Sequence, residues 1–283
     1  MLELSGIIGI TILEKNNKFY IFLYDDHNND KYCKKELNFV PELLKIFNNK
    51  REIKTSFFIE DYKENNKDYY IWNNIKHLNE FNKYLKINKN KLNWYLTDIR
   101  LYIGNIFNID ELKKNLNFLF DLDEIKNDNI YLIKLKKEIN DFCFNNKLVN
   151  KLFLKLKDKY TKIRKLNKND NSLFQFFFKG YLIKDLNFDD TRFELDYIID
   201  NLMELYLIIN IIKYKKDINI FYYGLFHCIN IVNYLKNSGC SVVYENGVVE
   251  SKITDKFLID KLEHDSDSCI ILDIDYLKKI LNI

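Results

Sequence analysis

His27, Glu60, Asp98, Arg100 and His227 each stand where an apolar run gives way to polar chain, and together they make an acid–base set. A neutral imidazole near pH 7 can accept a proton, activate water or bind a metal, which makes His27 and His227 the two sharpest candidates. Glu60 suits three roles: orienting a histidine, acting as a second base, or ligating a divalent ion. Arg100 has the fork geometry to stabilise an oxyanion or clamp a carboxylate. Asp98, two residues before it, would hold that arginine or share a metal, and Asp25 and Asp26 would raise the basicity of His27. Gly224 supplies the tight turn ahead of His227. Two histidines and a carboxylate (His27, His227 and Glu60) are also a recurrent divalent-metal set, without the H-E-x-x-H spacing. The cofactor expectation is therefore none, or a divalent metal ion.

Other chemistry is set aside. Cys228 adjoins His227, but adjacent residues point in different directions. His77 falls within a helical run, and His264 lies between Glu263 and Asp265 in a charged tail. There is no Gly-rich phosphate loop, G-x-S-x-G elbow or Walker motif.

The elements that must position these residues are read from periodicity. Residues 7–13 and 19–24 read as strands joined at Lys15-Asn16-Asn17-Lys18, a hairpin turn. Pro41 opens a short helix. The runs 55–59 and 94–96 read as strands, with a helix over 75–85 between them. The span 108–215 reads as mostly helical, and 218–223 as a strand ending on Gly224. A helix follows to the stop at Asn237-Ser238-Gly239, then a strand at 242–244. Helix is expected over 255–262 and 270–281, with an edge strand at 269–272. Strand ends thus deliver His27, Glu60, Asp98 with Arg100, and His227. In a parallel sheet those ends share one edge, where α/β proteins bind ligands. The fold expected is one α/β domain over 1–283, with a central, mainly parallel sheet, flanking helices and a helical insertion at 108–215.

Composition narrows the function classes. A net charge of +3, with acidic residues interleaved among the lysines, lacks the concentrated basic stripe of a nucleic-acid binder. The nearest approach, residues 147–168, carries Leu148, Leu152, Leu156 and Ile163 at roughly helical spacing, so its lysines are the wet face of a helix. Five widely spaced cysteines without C-x-x-C point to reduced thiols in a cytoplasmic compartment, rather than a disulfide framework or structural zinc. The start of the chain lacks signal-peptide character. The most apolar helical run, 195–214, is broken by Asp196, Asp200, Glu204 and Asn210, which argues against a membrane span. The expected partners are a small-molecule or peptide substrate, with neither nucleic acid nor membrane.

Four short motifs carry a resemblance: Tyr24-Asp25-Asp26-His27, Phe57-Phe58-Ile59-Glu60, Thr97-Asp98-Ile99-Arg100 and Gly224-Leu225-Phe226-His227. In order and spacing they resemble the erythromycin esterase, ChaN, TraB and TIKI superfamily, and most of all its uncharacterised members encoded by large DNA viruses. The resemblance spans roughly residues 7–245. It implies an α/β core with helical insertions and a site at the strand ends. Some members are esterases using histidine as a metal-free base, others are proposed metal-dependent peptidases, and ChaN-like members bind haem. It also implies host cytoplasm or virion as the location. The first motif departs from the family in having Tyr24 where the family carries glycine. The expected function is a hydrolase of esterase or metallopeptidase type. The alternative is a catalytically degenerate member acting as a viral structural or host-interaction protein, with a protein partner.

Overall fold

The computed structural model describes residues 1–25, 32–35, 38–47, 54–60, 62–64, 67–69, 76–88, 93–104, 108–122, 126–165, 190–249, 251 and 269–283. The expected helix at 255–262 lies outside them. In chain order the elements are β1 (Leu2–Ser5), β2 (Gly9–Lys15), β3 (Lys18–Asp25), α1 (Val40–Phe47), β4 (Thr55–Ile59), β5 (Tyr62–Glu64), β6 (Lys67–Tyr69), α2 (Lys76–Ile87) and β7 (Asn93–Leu96). Next come α3 (Arg100–Ile103), α4 (Ile109–Leu119), α5 (Ile130–Asn145), α6 (Lys147–Lys165) and α7 (Asp190–Tyr214). The chain then forms β8 (Ile218–Gly224), α8 (Leu225–Asn237), β9 (Ser241–Gly247), β10 (Cys269–Leu272) and α9 (Ile274–Leu281). It divides into two compact units, Met1–Leu96 with Tyr214–Ile283, and Thr97–Lys213.

The first unit is built on a six-stranded sheet in the order β7-β4-β8-β3-β2-β9. Strands β7, β4, β8 and β3 pair in parallel, whereas β2 is antiparallel to both β3 and β9. The sheet is therefore mixed, not the mainly parallel one expected. The physical reason is the two-residue turn at Asn16 and Asn17, which takes φ values of 53° and 59° and folds β2 straight back on β3. The same turn fixes the register, pairing Lys15 with Lys18 and Gly9 with Tyr24.

Strands β3, β4 and β8 are apolar on both faces because both faces are covered. On one face Phe22, Phe221 and Phe58 stack in register across β3, β8 and β4, with centroids 4.4 and 5.0 Å apart, and Tyr95 continues the row at 5.4 Å. On the other face Ile21, Leu23, Phe57, Ile59, Ile220 and Tyr222 form one core with Leu43 and Leu44 of α1 and Leu78, Phe81 and Leu85 of α2.

The connections leave neighbouring strands in opposite directions. From β3 the chain crosses through α1 toward β4, and from β8 it crosses through α8 toward β9. Right-handed crossovers then put α1 and α8 on opposite faces. Core membership agrees, since the buried residues of α8 lie outside the cluster that holds α1 and α2. The carboxyl ends of β3 and β8 therefore flank a topological switch point, where Asp25 and Gly224 stand in register.

Strand β1 was not foreseen in the sequence. It pairs with β10, bringing the two ends of the chain together with Ser5 opposite Cys269. This pairing accounts for the correction to the cysteines: Cys33 and Cys269 form a disulfide. The backbone N–H of Cys33 donates to Ser5 Oγ at 3.1 Å, so Ser5 brings together two cysteines 236 residues apart. Spacing along the chain carries no trace of such a pairing. Cys143, Cys228 and Cys240 remain free and buried.

The second unit is helical in its described residues. Asn129 caps α5, accepting from the N–H groups of Tyr131 and Leu132. The buried stripe of α6 runs through Val149, Phe153, Leu156, Tyr160 and Ile163, displaced from the expected one so that Leu148 is exposed. Its lysines 147, 151, 155 and 162 face water. Among the described residues no helix is long and apolar enough to cross a membrane.

Gly9 and Gly247 face each other where β2 meets β9. A Cβ on Gly247, whose φ is +79°, would lie 2.3 Å from the Ile8 carbonyl oxygen. Gly247→Ala is expected to cost more than about 2 kcal/mol in urea denaturation, through strain and clash acting together.

Candidate functional site

Glu60 is the first residue past β4. Its N–H donates to the Tyr222 carbonyl at 3.1 Å, which prolongs the β4–β8 ladder by one bond and fixes the carboxylate beside Gly224. Gly224 ends β8 and is the N-cap of α8, yet it has no side chain to cap the helix. Glu60 does this from the neighbouring strand: the Gly224 N–H donates to Oε2 at 2.8 Å. A carboxylate at this position also opposes the positive end of the helix dipole. His227, in the first turn of α8, places Nε2 3.7 Å from Glu60 Oε1, and both side chains are less than a tenth exposed. That separation exceeds a normal hydrogen bond.

A second histidine–carboxylate pair lies at the same edge. His77, set aside on sequence as a helical residue, places Nε2 2.8 Å from Asp25 Oδ1, and each side chain is 1% exposed. An ionised carboxylate only accepts, so Nε2–H is the donor. When the ring carries this one proton, Nδ1 is the acceptor for the Tyr32 hydroxyl 3.1 Å away. Gly6 allows the chain to pass directly over this imidazole, where a Cβ would sit 2.5 Å from His77 Cβ. Tyr222 faces the same group. Its hydroxyl is buried without a well-formed hydrogen bond. Burial first, and then the charge of Asp25, hold its pKa well above the ordinary tyrosine value.

A signal for His77 was present in the sequence. With Leu78, Phe81 and Leu85 it falls on one stripe of α2, so it occupies a core-facing position. A buried histidine requires a polar partner, and Asp25 is the one acidic residue of strand β3, at the end of its apolar run.

Asp98 and Arg100 belong to the second unit. Asp98 is buried and grips the arginine in a fork, with Nε to Oδ1 at 3.0 Å and Nη2 to Oδ2 at 2.8 Å. Its Oδ1 also accepts from the Arg100 N–H at 2.9 Å, so one carboxylate both opens α3 and holds the side chain. Asp200 of α7 approaches Nη1 at 3.5 Å. The guanidinium expected to stabilise an anion is thus engaged by two carboxylates of its own unit.

The structure therefore brings Glu60, Gly224 and His227 together, and it joins Asp98 to Arg100. His27 and Asp26 lie outside the described residues. Among the described residues no group of three or more His, Cys, Asp or Glu side chains is arranged to hold a metal ion. Tyr24, which replaces the glycine of the resembled motif, is fully buried, and its hydroxyl donates to Thr11 of β2 at 2.7 Å. Strand alternation turns it away from the face that Asp25 occupies. Comparison of the chain with protein-family models, curated proteins and solved structures finds no match.

Two outcomes check these assignments. Asp98→Asn is expected to lower stability by about 1–3 kcal/mol in chemical denaturation, less than a fully buried pair would, since Arg100 is 30% exposed. Tyr222 raises a pH effect: its unfolded-state pKa is about 10 and its folded value is higher. Above pH ~10 the unfolded chain gives up this proton first, so stability is full below that pH and falls as pH rises. Tyr222→Phe is expected to leave neutral-pH stability within about 1 kcal/mol and to flatten the alkaline loss, as read from melts at a series of pH values.

Proposed function

We propose that the protein is a hydrolase of the esterase or peptidase type, with its acid–base centre at the carboxyl ends of the sheet strands. The observation that carries the reading is the His227–Glu60 pair at 3.7 Å, with the other Glu60 oxygen held at 2.8 Å by the N–H that opens α8. Glu60 orients the imidazole and stabilises its protonated form, and His227 takes a proton from water as that water attacks an acyl carbon. The placement of this pair beside the switch point between β3 and β8 supports the reading, because open α/β sheets bind ligands there. So does the resemblance of the four short motifs to the erythromycin esterase-like superfamily. His27, two residues after Asp25, is the second base or metal ligand in this proposal, and Asp26 supports it.

A second reading is favoured by the state of Arg100. With Asp98 and Asp200 both on its guanidinium, an oxyanion would meet a cation whose charge two carboxylates already offset. On that reading the chain is a degenerate member that retains the fold as a viral structural or host-interaction protein.

A panel of chromogenic acyl esters and aminopeptidase substrates, with and without added divalent metal, separates the two readings. On the hydrolase reading one class is turned over above background, His227→Ala lowers kcat/KM by about 10²- to 10⁴-fold, and Glu60→Gln lowers it less. Glu60→Gln, which keeps an oxygen for the Gly224 N–H, should melt close to the parent, and His227→Ala, which empties a buried position, should melt lower but as cooperatively. No turnover by the parent protein across the panel would favour the degenerate reading.

A further inference from the structure

The Cys33–Cys269 bond lies one residue from the hydrogen bond that completes the Asp25–His77 pair. Tyr32, whose hydroxyl meets His77 Nδ1, immediately precedes Cys33. The tyrosine ring stands edge-on to the imidazole at 5.7 Å and edge-on to Phe39 at the same distance. Cys33 itself is tied to the chain ends twice, by its disulfide to β10 and by its N–H to Ser5 of β1. Gly6, the next residue, rests on the His77 side chain. The disulfide, β1 and the imidazole thus form one continuous packing unit, with Tyr32 between the covalent bond and the ring.

The cysteines differ in their access to redox partners. Cys33 is 6% exposed, whereas Cys269 at the start of β10 is half-buried, so a thiolate meets the bond from the Cys269 side. The three other cysteines are buried. Burial pushes the Cys143 thiol up to about 11 and raises that of Cys240 as well, which keeps both protonated and poor in exchange.

We propose that the Cys33–Cys269 disulfide is a redox-operated strap: intact, it holds the Tyr32 hydroxyl on His77 Nδ1, and reduction by a dithiol releases Tyr32 and opens that nitrogen as a proton acceptor. In the first step one thiolate of the dithiol attacks Cys269 Sγ, and Cys33 leaves as a thiolate that takes up a proton. The second thiol of the reagent then displaces Cys269 from the mixed disulfide. Net, the protein disulfide gains two electrons and two protons, and the dithiol is oxidised to its cyclic disulfide. The inference does not rest on the hydrolase reading, because it concerns a hydrogen bond that can be observed without substrate.

The test is imidazole ¹⁵N NMR on histidine-labelled protein, oxidised and then treated with dithiothreitol, with thiols counted at each stage. The oxidised protein is expected to show three free thiols and the reduced one five, and amide spectra should stay folded in both. The Nδ1 resonance of His77 should move downfield on reduction, as an acceptor nitrogen does when it loses its donor, and return on reoxidation. Oxidised Tyr32→Phe, which assigns the signal, should show the same shift without reductant, and Cys269→Ser should show it constitutively. Three results would overturn the proposal: five thiols before reduction, an unmoved His77 signal once the count has risen, or a collapsed amide spectrum on reduction, which would make the bond purely structural.

Discussion

The in-register parallel pairing of β3 with β8 is the constraint from which the candidate site follows. It sets Asp25 opposite Gly224, and it leaves the two carboxyl ends with crossovers running to opposite faces of the sheet. It also aligns Phe22 with Phe221, the first pair of the aromatic row that continues to Phe58 and Tyr95. A slip of one residue would turn the aromatic set and the aliphatic set to the wrong faces at once, so both cores vote for the same register. The polar residues at the strand ends are placed by this apolar agreement and contribute little to establishing it.

Placing carboxylates at that edge has a cost which each one offsets locally. Asp25 and Glu60 are both buried, and a buried carboxylate without partners is strongly unfavourable. Asp25 meets the N–H of an imidazole and Glu60 meets a helix N-terminus. The two solutions differ in what they leave adjustable. The Asp25–His77 bond is short, and both ring nitrogens have partners, which fixes the ring. Glu60 accepts from the Gly224 N–H with one oxygen, and its other oxygen stands 3.7 Å from His227 Nε2.

Much of the strand and helix layout was legible in the sequence because it rests on local rules. The Asn16-Asn17 turn, the largely apolar strands before Glu60 and Gly224, and the helix stop at Gly239 all follow from short-range chemistry and match β2–β3, β4, β8 and α8. The Glu60–Gly224–His227 grouping followed from one long-range assumption, that these strand ends share an edge. What escaped reading depends on contacts between distant parts of the chain. Strand β1 needs β10 as its partner, and Leu2–Ser5 alone is too short to declare itself. Cys33 and Cys269 meet beside Ser5, which pairs with the latter and accepts from the former. Arg100 read as an available cation because Asp200, a hundred residues later, is invisible from its strand end.

His77 shows why helical periodicity alone misleads about polar residues. A histidine on the apolar stripe of α2 fits the pattern of a core position, and the pattern is silent about which group satisfies it. The partner could be found only by asking what a buried imidazole requires, and Asp25 is the answer that the strand had already set aside as a neighbour of His27. The same question applied to Asp98 selects Arg100, two residues on, because the first turn of α3 brings backbone and guanidinium of one residue onto one carboxylate. Buried charges in this chain are thus better located by their need for partners than by the ends of the strands that carry them.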